Sequence, residues 1–186
     1  MPSSPPILRA TRLTDPLDSL FPTGEALLSA IRGQHVGRHP LASVAHQFGQ
    51  LHQQHLRGPT STKYTSRAQL SLQADRWVVE HVPLAHPEAT LHFESLGTVI
   101  DRIAVQQVRA FHLLMNTEPS APIVHTAWYR LAELVDDYTD LTTAVTRRSR
   151  RLPLHGPPLI ASSGFTRPRP EGAPTISILG PVRVSR

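Results

Sequence analysis

Through most of this chain the apolar residues recur at intervals of three and four, and almost nowhere at intervals of two. That period belongs to helices with one buried stripe. The first helix is short: Thr23 is placed to cap it, Glu25 falls in its first turn, Leu27, Leu28 and Ile31 share a face, and Gly33 stops it. A second helix opens with Pro40 at its first position, where a missing N–H costs nothing. It carries Leu41, Val44, Ala45, Phe48, Leu51, His52, His55 and Leu56 on one stripe and ends at Gly58-Pro59. The third is predicted from about Tyr64 to His81, with Ala74, Trp77, Val78 and His81 inward and Val82-Pro83 closing it. The fourth runs from a cap at Ser95 to about Met115, with Leu96, Val99, Ile100, Ile103, Ala104, Gln107 and Phe111 on its inner face. The fifth runs from Pro122 or Ile123 to about Arg148, with Val124, Ala127, Trp128, Leu131, Leu134, Val135, Tyr138, Leu141 and Val145 inward. Arg147, Arg148, Arg150 and Arg151 suit its C-terminal dipole.

Helices with such stripes bury them only against one another. The expected fold is all-α: an antiparallel bundle of four long helices plus a short N-terminal helix, followed by a proline-rich basic tail. The expected divisions are an extended arm over residues 1–21, a bundle over 22–150 and a tail over 151–186. In that tail Thr175–Leu179 and Val182–Val184 alternate like strands around Gly180-Pro181, which suggests a short hairpin.

Composition removes several functions. The chain has no cysteine, so thiolate metal sites, disulfides and a cysteine nucleophile are excluded. No apolar run approaches the roughly 18 residues of a membrane-spanning helix, and Met1–Ala10 does not read as a secretory signal. The expectation is a soluble chain with a cytoplasmic address and no membrane partner. The net charge of +5 is uneven: from residue 147 onward there are eight arginines and one acid, Glu171, giving +7 and leaving −2 for the rest. A basic tail can contact nucleic acid. Lys63, however, is the only lysine against 18 arginines, which points to a GC-rich bacterial genome, and nucleic acid is not the expected partner. Aromatic residues, at 5%, are too few for a base-stacking platform.

Ionisable groups concentrate around the fourth helix: Glu94, Asp101, Arg102, Arg109 and His112. Glu94 precedes the helix, where a carboxylate is favourable as part of a cap. Asp101 lies beside the inner stripe and, once desolvated, needs a partner. Asp101 and His112 return to nearly one face, but eleven residues of helix separate them by about 16 Å, so they cannot act on one atom. The segment is read either as a polar network fixing the register of the helices or as a ligand or catalytic site. His52-x-x-His55 has metal-ligand spacing, but the Glu-x-x-His partner motif of bundle metal sites is absent, and no metal is expected. Ser162-Ser163-Gly164 lacks the nucleophile elbow, and no phosphate-binding glycine loop occurs.

The stretch Glu94-Ser95-Leu96-Gly97-Thr98-Val99-Ile100-Asp101-Arg102-Ile103 resembles the signature of a bacterial helical family, domain of unknown function 4254. Phe111-His112-Leu113 is similar to the Tyr-His-Met that follows in the family, with only the histidine kept, and Phe93 replaces its threonine. Asp140-Leu141-Thr142-Thr143-Ala144-Val145 is similar to the family's closing helix, and Leu51-His52-Gln53-Gln54 to a Trp-His-x-Glu stretch whose acid is lost here. The resemblance is expected over roughly residues 22–150. It implies a helical bundle, a bacterial source and small-molecule chemistry in specialised-metabolite or glycan biosynthesis, and it assigns no reaction or cofactor. It singles out Glu94, Asp101, Arg102 and His112.

Two functions follow as expectations. One is a cofactor-free enzyme or ligand-binding protein, with Glu94 or Asp101 as general base, Arg102 on an anionic group of the substrate, and His112 or His52 relaying protons. The other is a protein-interaction module, self-associating or using the bundle surface and basic tail on another subunit.

Overall fold

The computed structural model describes residues 19–58 and 63–153, and the hairpin expected in the tail and most of the expected arm lie outside these residues. Helix α1, Gly24–Arg32, begins where Thr23 Oγ1 accepts from the Ala26 N–H, and it ends on Gly33 in the left-handed region, φ 73°. Helix α2, Pro40–Leu56, is capped by His39, whose Nδ1 accepts from the Leu41 N–H at 3.1 Å. Helix α3 is Lys63–His81. Helix α4, Leu96–Asn116, is capped by the Ser95 hydroxyl, and α5, Pro122–Thr146, starts without a side-chain cap. The described residues are therefore all-α in class, with five helices.

Helix α4 is the axis of the fold. It packs against α1, α2, α3 and α5, whereas the backbones of α3 and α5 stay apart among the described residues. Leu27, Ile31, Leu41, Phe48, Leu96, Ile100 and Ile103 form the innermost core. The buried Tyr138 ties α5 to the start of α1 by donating its hydroxyl to the Pro22 carbonyl at 2.8 Å, and burial pushes that phenol well above its ordinary pKa.

Two glycines set the closest helix approaches. A Cβ on Gly49 would fall 2.2 Å from the Ile31 carbonyl oxygen, and one on Gly97 would fall 2.3 Å from the Ser71 carbonyl oxygen. At the second crossing, Gly97 lies on Ser71, and one turn further along α4 Asp101 meets Arg67, one turn back along α3. Helices α3 and α4 therefore run antiparallel there. The buried Asp75 of α3 completes the seam by accepting from the Gly97 N–H at 2.8 Å, which puts a carboxylate at the positive end of α4.

The structure corrects the sequence reading in four places. Two very short strands, β1 Thr90–Leu91 and β2 Arg150–Arg151, pair in parallel. Two of the arginines after α5 fasten this region: Arg148 Nε donates to Leu84 O and Arg151 Nε to Ala89 O. His81 is exposed, stacked on Trp77 with its Nδ1 on the Trp77 carbonyl. Leu56, His55 and Phe111 are also exposed.

Candidate functional site

Asp101 lies in the second turn of α4, between Ile100 and Ile103, and only 4% of it is exposed. Both of its oxygens are occupied. Oδ1 is 2.7 Å from Nε2 of His52 on α2, and Oδ2 accepts from Nε of Arg67 on α3 at 2.6 Å and also pairs with the Arg67 terminal nitrogen. Burial by itself pushes the Asp101 carboxyl up. The hydrogen bonds from His52 and Arg67, with the charge of both, overcome that effect and hold it below its ordinary value of 3.8. The carboxylate is therefore ionised at neutral pH and is a poor proton acceptor.

An ionised carboxylate only accepts, so the His52 nitrogen facing it carries the proton. In the neutral ring this leaves Nδ1 as the basic atom, and no described residue bonds to it. The ring plane is fixed by Phe48 and His55, one turn away on either side, with centroids at 6.3 and 5.8 Å. His52 is buried, whereas 47% of the Arg67 side chain is exposed. A carboxylate that orients an imidazole and fixes its tautomer is the arrangement of a histidine general base.

The other sequence candidates fall elsewhere. Glu94 pairs with Arg102 at 3.0 Å on the α5 side of α4, beside a shallow pocket that also holds Asp137 and Asp140. The pair meets the distance of an ion pair without the alignment of a hydrogen bond. Ser95 takes the capping role open to Glu94. His112 is exposed near the C-terminal end of α4, with Asn116 as its neighbour at 3.2 Å. Asp101 and His52 thus come together, Glu94 and Arg102 form a second pair, and His112 stands apart.

Arg67 and Asp75 were not singled out by the sequence. Their helix is mostly polar, so two more charges on it carried no signal. Arg67 falls four residues before Ser71, which lies beneath Gly97, and that relation exists only once α3 is docked. Among the described residues no group of three or more His, Asp or Glu is placed to hold a metal ion, and no helix is long and apolar enough to cross a membrane.

No curated protein and no solved structure matches the chain. A family match covers residues 62–153, from α3 to the end of β2. It includes the Glu94–Ile103 motif and the closing helix, while the Leu51–Gln54 stretch and His52 lie before it. The match begins later than the sequence resemblance suggested, yet it contains two of the three members of the buried network, Arg67 and Asp101. Residues 62–153 thus match the family described as Protein of unknown function (DUF4254).

Proposed function

We propose that this protein acts on or binds a small molecule, as a cofactor-free enzyme or ligand-binding protein of a biosynthetic pathway, with His52 as its proton acceptor. The carrying observation is the 2.7 Å contact between His52 Nε2 and a buried, ionised Asp101. Asp101 orients the ring, and Arg67 keeps Asp101 ionised and presents a cation near the surface. Glu94 and Arg102 form a separate ion pair, in which Arg102 remains available to an anionic group. A small-molecule role in biosynthesis is what the family resemblance implies.

A thermal-shift screen of the full chain against amino acids, nucleotides, nucleotide-sugars, acyl thioesters and divalent metals tests this reading, with Asp101→Asn alongside. The expected result is a ligand that raises the melting temperature of the wild type and does so far less for the variant. Equal shifts in both proteins would place the binding site away from Asp101 and sink the proposal.

A second reading, a protein-interaction module, draws support from Leu84, Leu91 and Phe93, which are strongly exposed within one short segment. Its partner could be another subunit or a second copy. Sedimentation of the wild type beside Leu84→Ser/Phe93→Ser tests self-association, which this reading expects the double substitution to weaken.

A further inference from the structure

Gln107 is the least explained residue in the core. It is 1% exposed, and neither its Nε2 nor its Oε1 has a hydrogen-bond partner among the described residues. Each such group costs on the order of 1–3 kcal/mol, and native chains keep few of them without a use. Leucine would fill a similar volume without that cost. Gln107 lines a cavity of about 480 Å³ formed by the ends of α1 and α2 and the C-terminal half of α4. That volume lies within the range of small-molecule sites.

Two further features converge there. Leu56, Phe111 and Met115, three large apolar side chains left at least half exposed, all line this cavity. Arg32 and Arg57 also line it, and among the described residues no acidic one does. An apolar wall with two cations and an orphaned amide describes a ligand by complement. The Gln107 amide offers one donor and one acceptor side by side, and it is matched by a group with the reverse pair. A carboxylate offers acceptors only, so it satisfies the arginines but leaves Oε1 unmet.

We infer that this cavity binds a small organic anion with an apolar body and an amide edge, supplied by a primary carboxamide or a lactam. The amide edge meets Gln107, the apolar body lies on Phe111 and Met115, and the anion faces Arg32 and Arg57. Reaching Gln107 requires side chains above it to change rotamer, and the long, unbranched Gln53 and Met115 in the same wall are suited to that. None of His52, Asp101 and Arg67 lines this cavity, so the inference stands even if that network is structural.

Calorimetric titration of the full chain provides the test. Phenylacetyl-glutamine supplies a carboxamide, pyroglutamyl-phenylalanine a lactam, and phenylacetyl-norvaline has the same ring and carboxylate without the amide edge. One amide probe is expected to bind the wild type, and which one binds separates carboxamide from lactam. The norvaline compound is expected to bind about tenfold more weakly or worse, the difference made by one satisfied buried pair. Gln107→Leu is expected to lose that discrimination while melting at or above the wild-type temperature, and Arg57→Gln, at an exposed site, to weaken both compounds. The inference is overturned if neither amide probe binds at millimolar concentration, if the norvaline compound binds equally well, or if Gln107→Leu binds like the wild type. It also fails if Gln107→Leu melts well below the wild type, since the amide then has a structural partner, or if Arg57→Gln changes nothing.

Discussion

Asp101→Asn is expected to destabilise the protein by about 3 kcal/mol at neutral pH, the low end of the cost of breaking a buried pair, because Arg67 is partly solvated. For a domain of this size that is a fall in melting temperature of roughly 10 °C. The substitution keeps the shape and changes two things. It removes the negative charge facing Arg67, and it turns one of two accepting oxygens into an N–H₂ aimed at a donor, since His52 Nε2 and Arg67 Nε both donate. The pH dependence follows from the direction of the Asp101 shift. Its folded pKa lies below the ordinary 3.8, so the wild type has the full contribution of the carboxylate above that value and loses it as pH falls through the folded value. Protonated Asp101 resembles asparagine in having one donor among its two terminal atoms. Melting curves of the two proteins between pH 2.5 and 7 are therefore expected to lie far apart at neutral pH and to converge in acid. A gap that is the same at every pH would mean that the ionised carboxylate does not hold the network.

Gly97→Ala is expected to cost about 1–3 kcal/mol, although alanine normally gains about 0.5–1 kcal/mol over glycine within a helix. The reversal comes from the 2.3 Å approach of the added Cβ to the Ser71 carbonyl oxygen, a backbone atom that moves only if α3 moves. That shift also strains the Gly97 N–H bond to Asp75 and pulls Arg67 from Asp101, one turn along the same seam. Gly97→Ala and Asp101→Asn are therefore expected to be less than additive, because both open one contact. Denaturant unfolding of the single and double variants measures this. An alanine at 97 that is neutral or stabilising would show that α3 does not lie this close to α4.

The helix ends of this fold were the most readable part of the sequence. Thr23, Gly33, Pro40 and Ser95 each act through local backbone chemistry, and each does in the structure what its residue type implies. Burial along the helices was readable only where a neighbour covers the stripe. Phe111 keeps helical spacing with Ile100, Ile103 and Gln107, yet it is exposed, because the periodicity of one helix says nothing about where its neighbours stop. Asp101 could be recognised as a carboxylate needing a partner, and His52 as a histidine inside an apolar stripe. That they meet depends on how α2 packs on α4. Arg67 and Asp75 had no such signal, since charged residues on a polar helix usually face water and only docking brings these two onto α4.

The His52–Asp101 contact is the point on which the functional reading turns. A histidine whose Nε2–H is held by a carboxylate has one basic nitrogen, Nδ1, pointing in one direction, which is the preorganisation a proton acceptor needs. The alternative tautomer would put the proton on Nδ1 and leave two electron-rich groups facing each other. Nitrogen-detected NMR of the imidazole rings in the full chain, with His52 assigned by comparison with His52→Gln, distinguishes these forms directly. The expected result above neutral pH is a single His52 ring with its proton on Nε2, in slow exchange with solvent, and a loss of that protection in Asp101→Asn. A His52 ring protonated on Nδ1, or averaging between tautomers like an exposed histidine, would contradict the proposed proton acceptor.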